Sequence, residues 1–297
     1  MLQGCYTAIV TPFRGSGVRP EVDEEAYQRL VELQNSAGVS GIVVAGTTGE
    51  SPVLSHQEHC RLISMTVEHA KCQVVAGTGS NCTWEALELS RHAQDAGADA
   101  TLQVCPYYNK PNQEGLFRHF SAIAERVEIP HILYNIPGRS AQSIAPETMA
   151  KLMEEHSNIV GVKEASGSRE VWREVRRLCG EDFVILSGND GDTLELMRDY
   201  GARGVVSVAS NLIPGRIQEF VELGLRGEFE RMQREHRELE ELFEVLFIDT
   251  NPIPVKEAMR MCGMPAGGFR LPLCETGEEK RRRIQQVLAR LGLKVVE

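Results

Sequence analysis

Gly38-Val-Ser-Gly-Ile-Val-Val44 decides how this chain folds. A glycine stands where a helix should stop, a short turn follows, and an apolar, β-branched run begins. The same arrangement returns at Gly97-Ala-Asp-Ala-Thr-Leu102 and at Gly201-Ala-Arg-Gly-Val-Val206. Helices that hand over to strands through a glycine imply βαβ units and a parallel sheet.

Working outward, strand-like runs occur at Tyr6–Pro12, Gly41–Thr47, Val74–Gly79, Ala100–Pro106, His131–Ile136, Ile159–Ala165, Val184–Asn189 and Gly204–Ser210. Helical patterns lie between them. Val22, Ala26, Leu30, Leu33 and Ala37 follow helical spacing. Ser55-His-Gln-Glu58 is a capping box opening the next helix. Thr83 is placed to cap the third, and Pro146 suits the first turn of the fifth. Eight units in about 220 residues predict an α/β chain of the (β/α)₈ TIM-barrel type. An open doubly wound sheet is the alternative. No G-x-G-x-x-G follows the first strand, and Gly77-Thr-Gly79 lacks a third glycine, so a dinucleotide site is not expected. After about Leu223 the strand pattern stops. Glu228–Phe247 reads as a long helix broken by Asn251-Pro-Ile-Pro254, with two more helices near Val255–Cys262 and Glu275–Leu291. The expected organisation is a catalytic barrel over 1–224 and a C-terminal helical appendage over 225–297.

The sixth strand carries a lysine, Lys163, within Ile159-Val-Gly-Val-Lys-Glu-Ala165. Side chains alternate across a strand, so Gly161, Lys163 and Ala165 share a face, and the small neighbours leave room for a long side chain. Burial penalises an ammonium and favours the neutral amine. A neutral amine is a nucleophile for a carbonyl and forms a Schiff base. The alternative is a lysine that snorkels to the strand end and pairs with a carboxylate.

Bulk properties narrow the partners. The 297 residues carry a net charge of −10, which argues against nucleic acid and anionic membranes. No apolar run approaches a membrane span, and the opening Met-Leu-Gln-Gly-Cys lacks the charged and apolar regions of a signal peptide. The eight cysteines are scattered without a CxxC pair, as expected of reduced thiols in a cytoplasmic protein. Cys5 and Cys105 read as packing residues.

In a barrel of this kind the active site lies at the C-terminal ends of the strands. Those ends read Gly46-Thr-Thr-Gly-Glu50, Cys105-Pro-Tyr-Tyr-Asn109, Tyr134-Asn-Ile-Pro-Gly-Arg139, Ser187-Gly-Asn-Asp190 and Ser207-Val-Ala-Ser210. Hydroxyls, phenols, one arginine and one lysine converge. No His/Cys/Asp/Glu set has metal spacing, so neither a metal nor another cofactor is expected.

Ala8-Ile-Val-Thr-Pro12, Gly46-Thr-Thr-Gly-Glu50, Pro106-Tyr-Tyr-Asn109, Tyr134-Asn-x-Pro-x-Arg139, Gly161-x-Lys-Glu164 and Asn251-Pro-Ile-Pro-Val-Lys256 carry a resemblance that runs nearly end to end. The chain resembles the pyruvate-dependent class I aldolases, the family of dihydrodipicolinate synthase and N-acetylneuraminate lyase. The resemblance implies that Lys163 forms a Schiff base with pyruvate and that Tyr134, Thr47 and Tyr108 relay protons. It implies that Thr48 holds pyruvate's carboxylate, and that the Val206 carbonyl and Gly188 line the pocket. Arg139 would grip the carboxylate of L-aspartate-4-semialdehyde.

The implied activity is condensation of pyruvate with that semialdehyde, the first committed step toward diaminopimelate and lysine. The alternatives are a lyase of the same family cleaving a sugar-derived 2-keto acid and a non-catalytic barrel used as a binding module. The resemblance further implies a homotetramer built from two tight dimers. Tyr108 would reach into the neighbouring subunit's site and Tyr107 would stack at the dimer interface. L-lysine would inhibit through Ser51, His56, His59, Asn81, Glu85 and Tyr107. His56 and His59 are three apart in the helix capped by Ser55, so they share a face.

Overall fold

Strands rich in β-branched residues alternate with amphipathic helices along the computed structural model, which describes residues 2–296. The strands are β1 (Gly4–Ala8), β2 (Phe13–Arg14), β3 (Glu21–Val22), β4 (Gly41–Val44), β5 (Gln73–Gly77), β6 (Ala100–Val104), β7 (His131–Asn135), β8 (Ile159–Glu164), β9 (Val184–Ser187) and β10 (Gly204–Ser207). The helices are α1 (Glu24–Ala37), α2 (His56–His69), α3 (Thr83–Ala96), α4 (Gln113–Ala124), α5 (Pro137–Ser140), α6 (Pro146–Glu155), α7 (Arg169–Cys179), α8 (Thr193–Tyr200), α9 (Pro214–Leu225), α10 (Phe229–Val245), α11 (Ile253–Met261) and α12 (Glu278–Arg290).

Eight of the strands close into a parallel barrel in the order β1-β10-β9-β8-β7-β6-β5-β4, with β1 paired to β4. The short antiparallel pair β2–β3 stands outside it. Two apolar layers explain the closure. Tyr6, Val43, Val75, Leu102, Tyr134, Leu186 and Val206 fill the interior. Cys5, Ile42, Val44, Val74, Ala76, Leu133, Val162, Ile185 and Val205 join the helices outside. Neighbours in sequence point to opposite layers, the period of two that a strand imposes.

All eight expected strands are present, but the sequence runs overshoot them. The run at Tyr6–Pro12 corresponds to Gly4–Ala8, and those at Gly41–Thr47 and Gly204–Ser210 stop at Val44 and Ser207. The apolar ones among the extra residues, Ile9, Val10, Ala45, Val208 and Ala209, pack in the same layer as the helices, and their backbone has already left the strands. The capping box at Ser55 is formed in both directions. Thr83 does not cap: α3 begins at Thr83 with Cys82 as a cap lacking a side-chain bond, and the Thr83 hydroxyl bonds His119 Nδ1 instead.

Gly161 has a different reason from the one its smallness suggests. A Cβ there would stand 2.4 Å from the Val184 carbonyl oxygen, so glycine admits the close approach of β9 rather than making space for Lys163. Beyond the barrel, α10 packs on α8 and α9, and α12 on α10 and α11. Met232, Leu239, Leu242, Val255, Met259, Ile284 and Val287 of these helices belong to the same apolar layer as the outer strand faces.

Candidate active site

Two neighbouring strands bring the central pair together. Tyr134 of β7 and Lys163 of β8 stand opposite each other in register, on a rung that continues to Val104 and Leu186. Parallel in-register residues share a face, so both side chains enter the barrel interior. Lys163 is 7% exposed, and its Nζ lies 4.1 Å from the centre of the Tyr134 ring. The next residue, Glu164, points the other way. It accepts from Asn135 Nδ2 at 2.9 Å and from the Ser166 amide at 2.6 Å. Burial pushes its carboxyl up, opposed by those hydrogen bonds.

A cavity of about 210 Å³ opens above this rung. Tyr134, Leu102, Val104, Gly77 and Gly79 form one wall; Gly46, Thr47, Ser51 and Pro52 form another; Tyr107, Ile136, Arg139 and Ser140 complete it. The turn after β4 is tightly fixed. Ala45 and Glu50 bracket it with φ of 53° and 55°. The Glu50 amide bonds the Thr47 carbonyl at 3.0 Å, and the Thr11 hydroxyl bonds the Gly49 carbonyl at 2.7 Å. Beneath it lies a buried ion pair, Lys256 Nζ to Glu50 Oε1 at 2.6 Å, with both side chains at 0% exposure. Lys256 also donates to the carbonyls of Thr11 and Gly268. Burial pushes the Lys256 ammonium down to about 8 against the attraction of Glu50.

Thr48, beside Thr47, is 3% exposed and receives a hydrogen bond from Asn251 Nδ2 at 3.0 Å. Arg139 sits in α5, and its guanidinium donates to the Asn251 carbonyl at 3.1 Å. Val206 is buried in the barrel interior. Gly188 donates its amide to the Glu164 carbonyl at 2.7 Å, where a Cβ would press against Ala165 at 2.5 Å. Lys163, Thr48, Val206 and Gly188 lie behind the cavity wall rather than on it. Asp190, two residues on, is buried and accepts from the Val208 and Ala209 amides at 2.9 and 3.1 Å. Burial pushes its carboxyl up.

Tyr108 departs from the rest of the set. It is 90% exposed with φ of 72°, and it turns away from the cavity of its own chain. Tyr107 is on the wall instead. The residues expected to bind L-lysine divide as well. His56 Nε2 bonds Glu85 Oε1 at 2.6 Å, and Ser80 Oγ also bonds Glu85, so those two hydrogen bonds hold its carboxyl below the usual range. Burial, and then Glu85, push the Tyr107 phenol up. Asn81 offers its backbone carbonyl to Asn109 at 2.8 Å. His59 is buried and engaged with the Gly77 carbonyl at 2.7 Å, facing inward rather than beside His56.

Asn251, Glu50, Lys256 and Ser80 were not given roles by sequence reasoning. Three of them stood inside quoted motifs; what the sequence could not show was that segments about 200 residues apart meet. Among the described residues no group of three or more His, Cys, Asp or Glu side chains is arranged to hold a metal ion. No helix among them is long and apolar enough to cross a membrane.

The family model described as the dihydrodipicolinate synthetase family matches residues 1–291. A 4-hydroxy-tetrahydrodipicolinate synthase of Methanocaldococcus jannaschii is 46% identical over 295 residues, covering 99% of this chain and all of the relative. A crystal structure of dihydrodipicolinate synthase from Aquifex aeolicus superposes with a TM-score of 0.96 at 44% identity, over the full length of both chains. The dihydrodipicolinate synthase of Cyanidioschyzon merolae, solved with lysine bound, superposes with a TM-score of 0.93 at 43% identity, covering 98% of this chain and 99% of that one.

Proposed function

This chain belongs to the dihydrodipicolinate synthetase family, and from that premise we propose that it is a 4-hydroxy-tetrahydrodipicolinate synthase, a Schiff-base-forming lyase of the diaminopimelate and lysine pathway. Lys163 Nζ attacks the ketone of pyruvate and water leaves, giving an imine. The protonated imine draws electrons from the methyl carbon, which loses a proton to become an enamine. The enamine carbon attacks the aldehyde of L-aspartate-4-semialdehyde, and the adduct cyclises as its amine displaces Lys163.

One observation carries the reading. The buried Lys163 amine lies against the phenol ring of Tyr134, and Tyr134 shares a cavity with Thr47 and Arg139. Tyr134 and Thr47 move protons at the imine nitrogen. Thr48 holds pyruvate's carboxylate with the amides of its turn, Val206 and Gly188 shape the inner end, and Arg139 takes the semialdehyde's carboxylate. The barrel over 1–224 is the catalytic unit, and the helical region over 225–297 braces it.

The exposed Tyr108 supports a shared site, with the relay of each chain completed by a second copy in a homotetramer made of two dimers. Sedimentation should find an oligomer, and a fully active dilute monomer would refute shared sites. The Glu85, His56, Ser80 and Tyr107 group supports inhibition by L-lysine, whose ammonium Glu85 would pair. Flat initial rates under millimolar lysine, without calorimetric binding, would end that idea. The free thiols and the biosynthetic role support a cytoplasmic setting.

Borohydride reduction in the presence of pyruvate tests the centre. Mass spectrometry should find the adduct on Lys163, and Lys163→Ala should lose both adduct and turnover. Cyclised product on addition of L-aspartate-4-semialdehyde separates the synthase from a lyase acting on a sugar-derived 2-keto acid.

A further inference from the structure

Asn251 touches both halves of the site. Its side-chain Nδ2 donates to Thr48 Oγ1 at 3.0 Å, while its backbone carbonyl accepts from Arg139 at 3.1 Å. The residue is 6% exposed, and it approaches from outside the barrel, beyond α10. We infer that Asn251 is a positioning residue whose amide aims the Thr48 hydroxyl, so that its proton is offered to the carboxylate of the bound keto acid. This rests on the synthase reading above.

A threonine hydroxyl has one proton to give and two places to accept. When its oxygen accepts from an amide N–H, the proton is left for another acceptor, and the accepted bond polarises the hydroxyl and strengthens its donation. A carboxylate needs that proton. The opposite orientation of the amide would set the Asn251 carbonyl on Thr48, consume the proton and turn a lone pair toward the anion. It would also leave two amide N–H donors buried. The orientation found leaves Oδ1 without a partner among the described residues and gives Nδ2 one bond for its two N–H groups; the reverse would leave both N–H groups unfilled, and a buried donor is tolerated less well than a buried acceptor. The backbone around Thr48 is already pinned by the Glu50–Thr47 and Thr11–Gly49 bonds. The rotation of the hydroxyl is the remaining freedom, and Asn251 is the group that sets it.

Two variants and one substrate pair test this on the full-length protein. Asn251→Asp keeps the shape but puts an acceptor on the Thr48 proton and a negative charge beside the anion. Asn251→Ala removes the contact. Imine trapping by borohydride is titrated with pyruvate and with pyruvamide, which has the same ketone and no carboxylate. Half-saturating pyruvate should rise about tenfold or more for Asn251→Asp and about threefold for Asn251→Ala, the scale of one lost or inverted hydrogen bond. Half-saturating pyruvamide should move less than about twofold by the same reasoning. In a Thr48→Val background Asn251→Ala should add no further shift, and this pair decides the question if Asn251→Asp does not fold. Equal shifts for both ketones, or additive effects with Thr48→Val, would overturn the inference. A wild-type protein that traps no pyruvate would instead overturn the synthase reading itself.

Discussion

Glu50 and Lys256 form an ion pair at 2.6 Å with no exposed surface on either side chain, directly under the turn that carries Thr47 and Thr48. The pair joins the loop after β4 to α11, and two backbone carbonyls complete the lysine's coordination. Burial costs both charges their water, so the pair holds only while both partners are present.

Lys256→Met should therefore strand an uncompensated carboxylate. The expected loss of stability is about 3–5 kcal/mol, read as a fall in the urea midpoint. Lys256→Met combined with Glu50→Gln should recover part of it. A Lys256→Met chain as stable as the wild type would refute the structural role of the pair.

Arg139→Ala should leave pyruvate imine formation intact, because Arg139 touches neither Lys163 nor the Thr48 turn except through the Asn251 carbonyl. The KM for the semialdehyde should rise about 10- to 100-fold, the scale of a lost charge-assisted hydrogen bond. Unchanged semialdehyde kinetics would remove the main support for that substrate.

Tyr134→Phe keeps the ring against Lys163 and removes the phenolic proton. Turnover should fall by about 10²–10⁴, the range for a lost general acid–base group, while the melting temperature changes little. A matched loss of stability would assign Tyr134 to packing instead.

Acid should unfold the protein through two buried histidines outside the site. Burial lowers His119 and His131 from 6.5 to about 4. The unfolded chain takes up these protons near pH 6.5, whereas the folded chain resists until about 4. Stability is thus whole above that window and falls as pH drops through it, by about 3 kcal/mol for each group. Urea midpoints measured across the window should show the slope, and His131→Asn should flatten part of it. An identical slope in the variant would clear His131 of the effect.

The barrel was legible because its strands and helices are written in local periodicities and in glycines at helix ends. The meeting of Lys163 with Tyr134, and of Tyr134 with Arg139 at one cavity, was legible because the first two stand near the ends of β8 and β7 and Arg139 follows β7 in α5, where the barrel geometry gathers side chains. The ends of the strands were not, since the residues of Thr11 to Pro12 and of Thr47 to Thr48 are as apolar or β-branched as a strand while forming turns. Nor were the contacts of Asn251 and Lys256. Those depend on how a helical segment folds back across the barrel mouth, and a linear pattern holds no record of that. Tyr108 is exposed in its own chain, and the sequence reading gives it to a neighbouring subunit's site.

The bond between Thr48 and Asn251 spans 203 residues, and that between Glu50 and Lys256 spans 206. A ribosome releases the N-terminal parts first. Lys163 on β8 is therefore made well before Asn251 and Lys256, the groups that steady the turn carrying Thr47 and Thr48. A growing chain holds the Lys163 amine without the bonds that fix that turn. The turn after β4 is thus finished late, by the segment that follows the barrel.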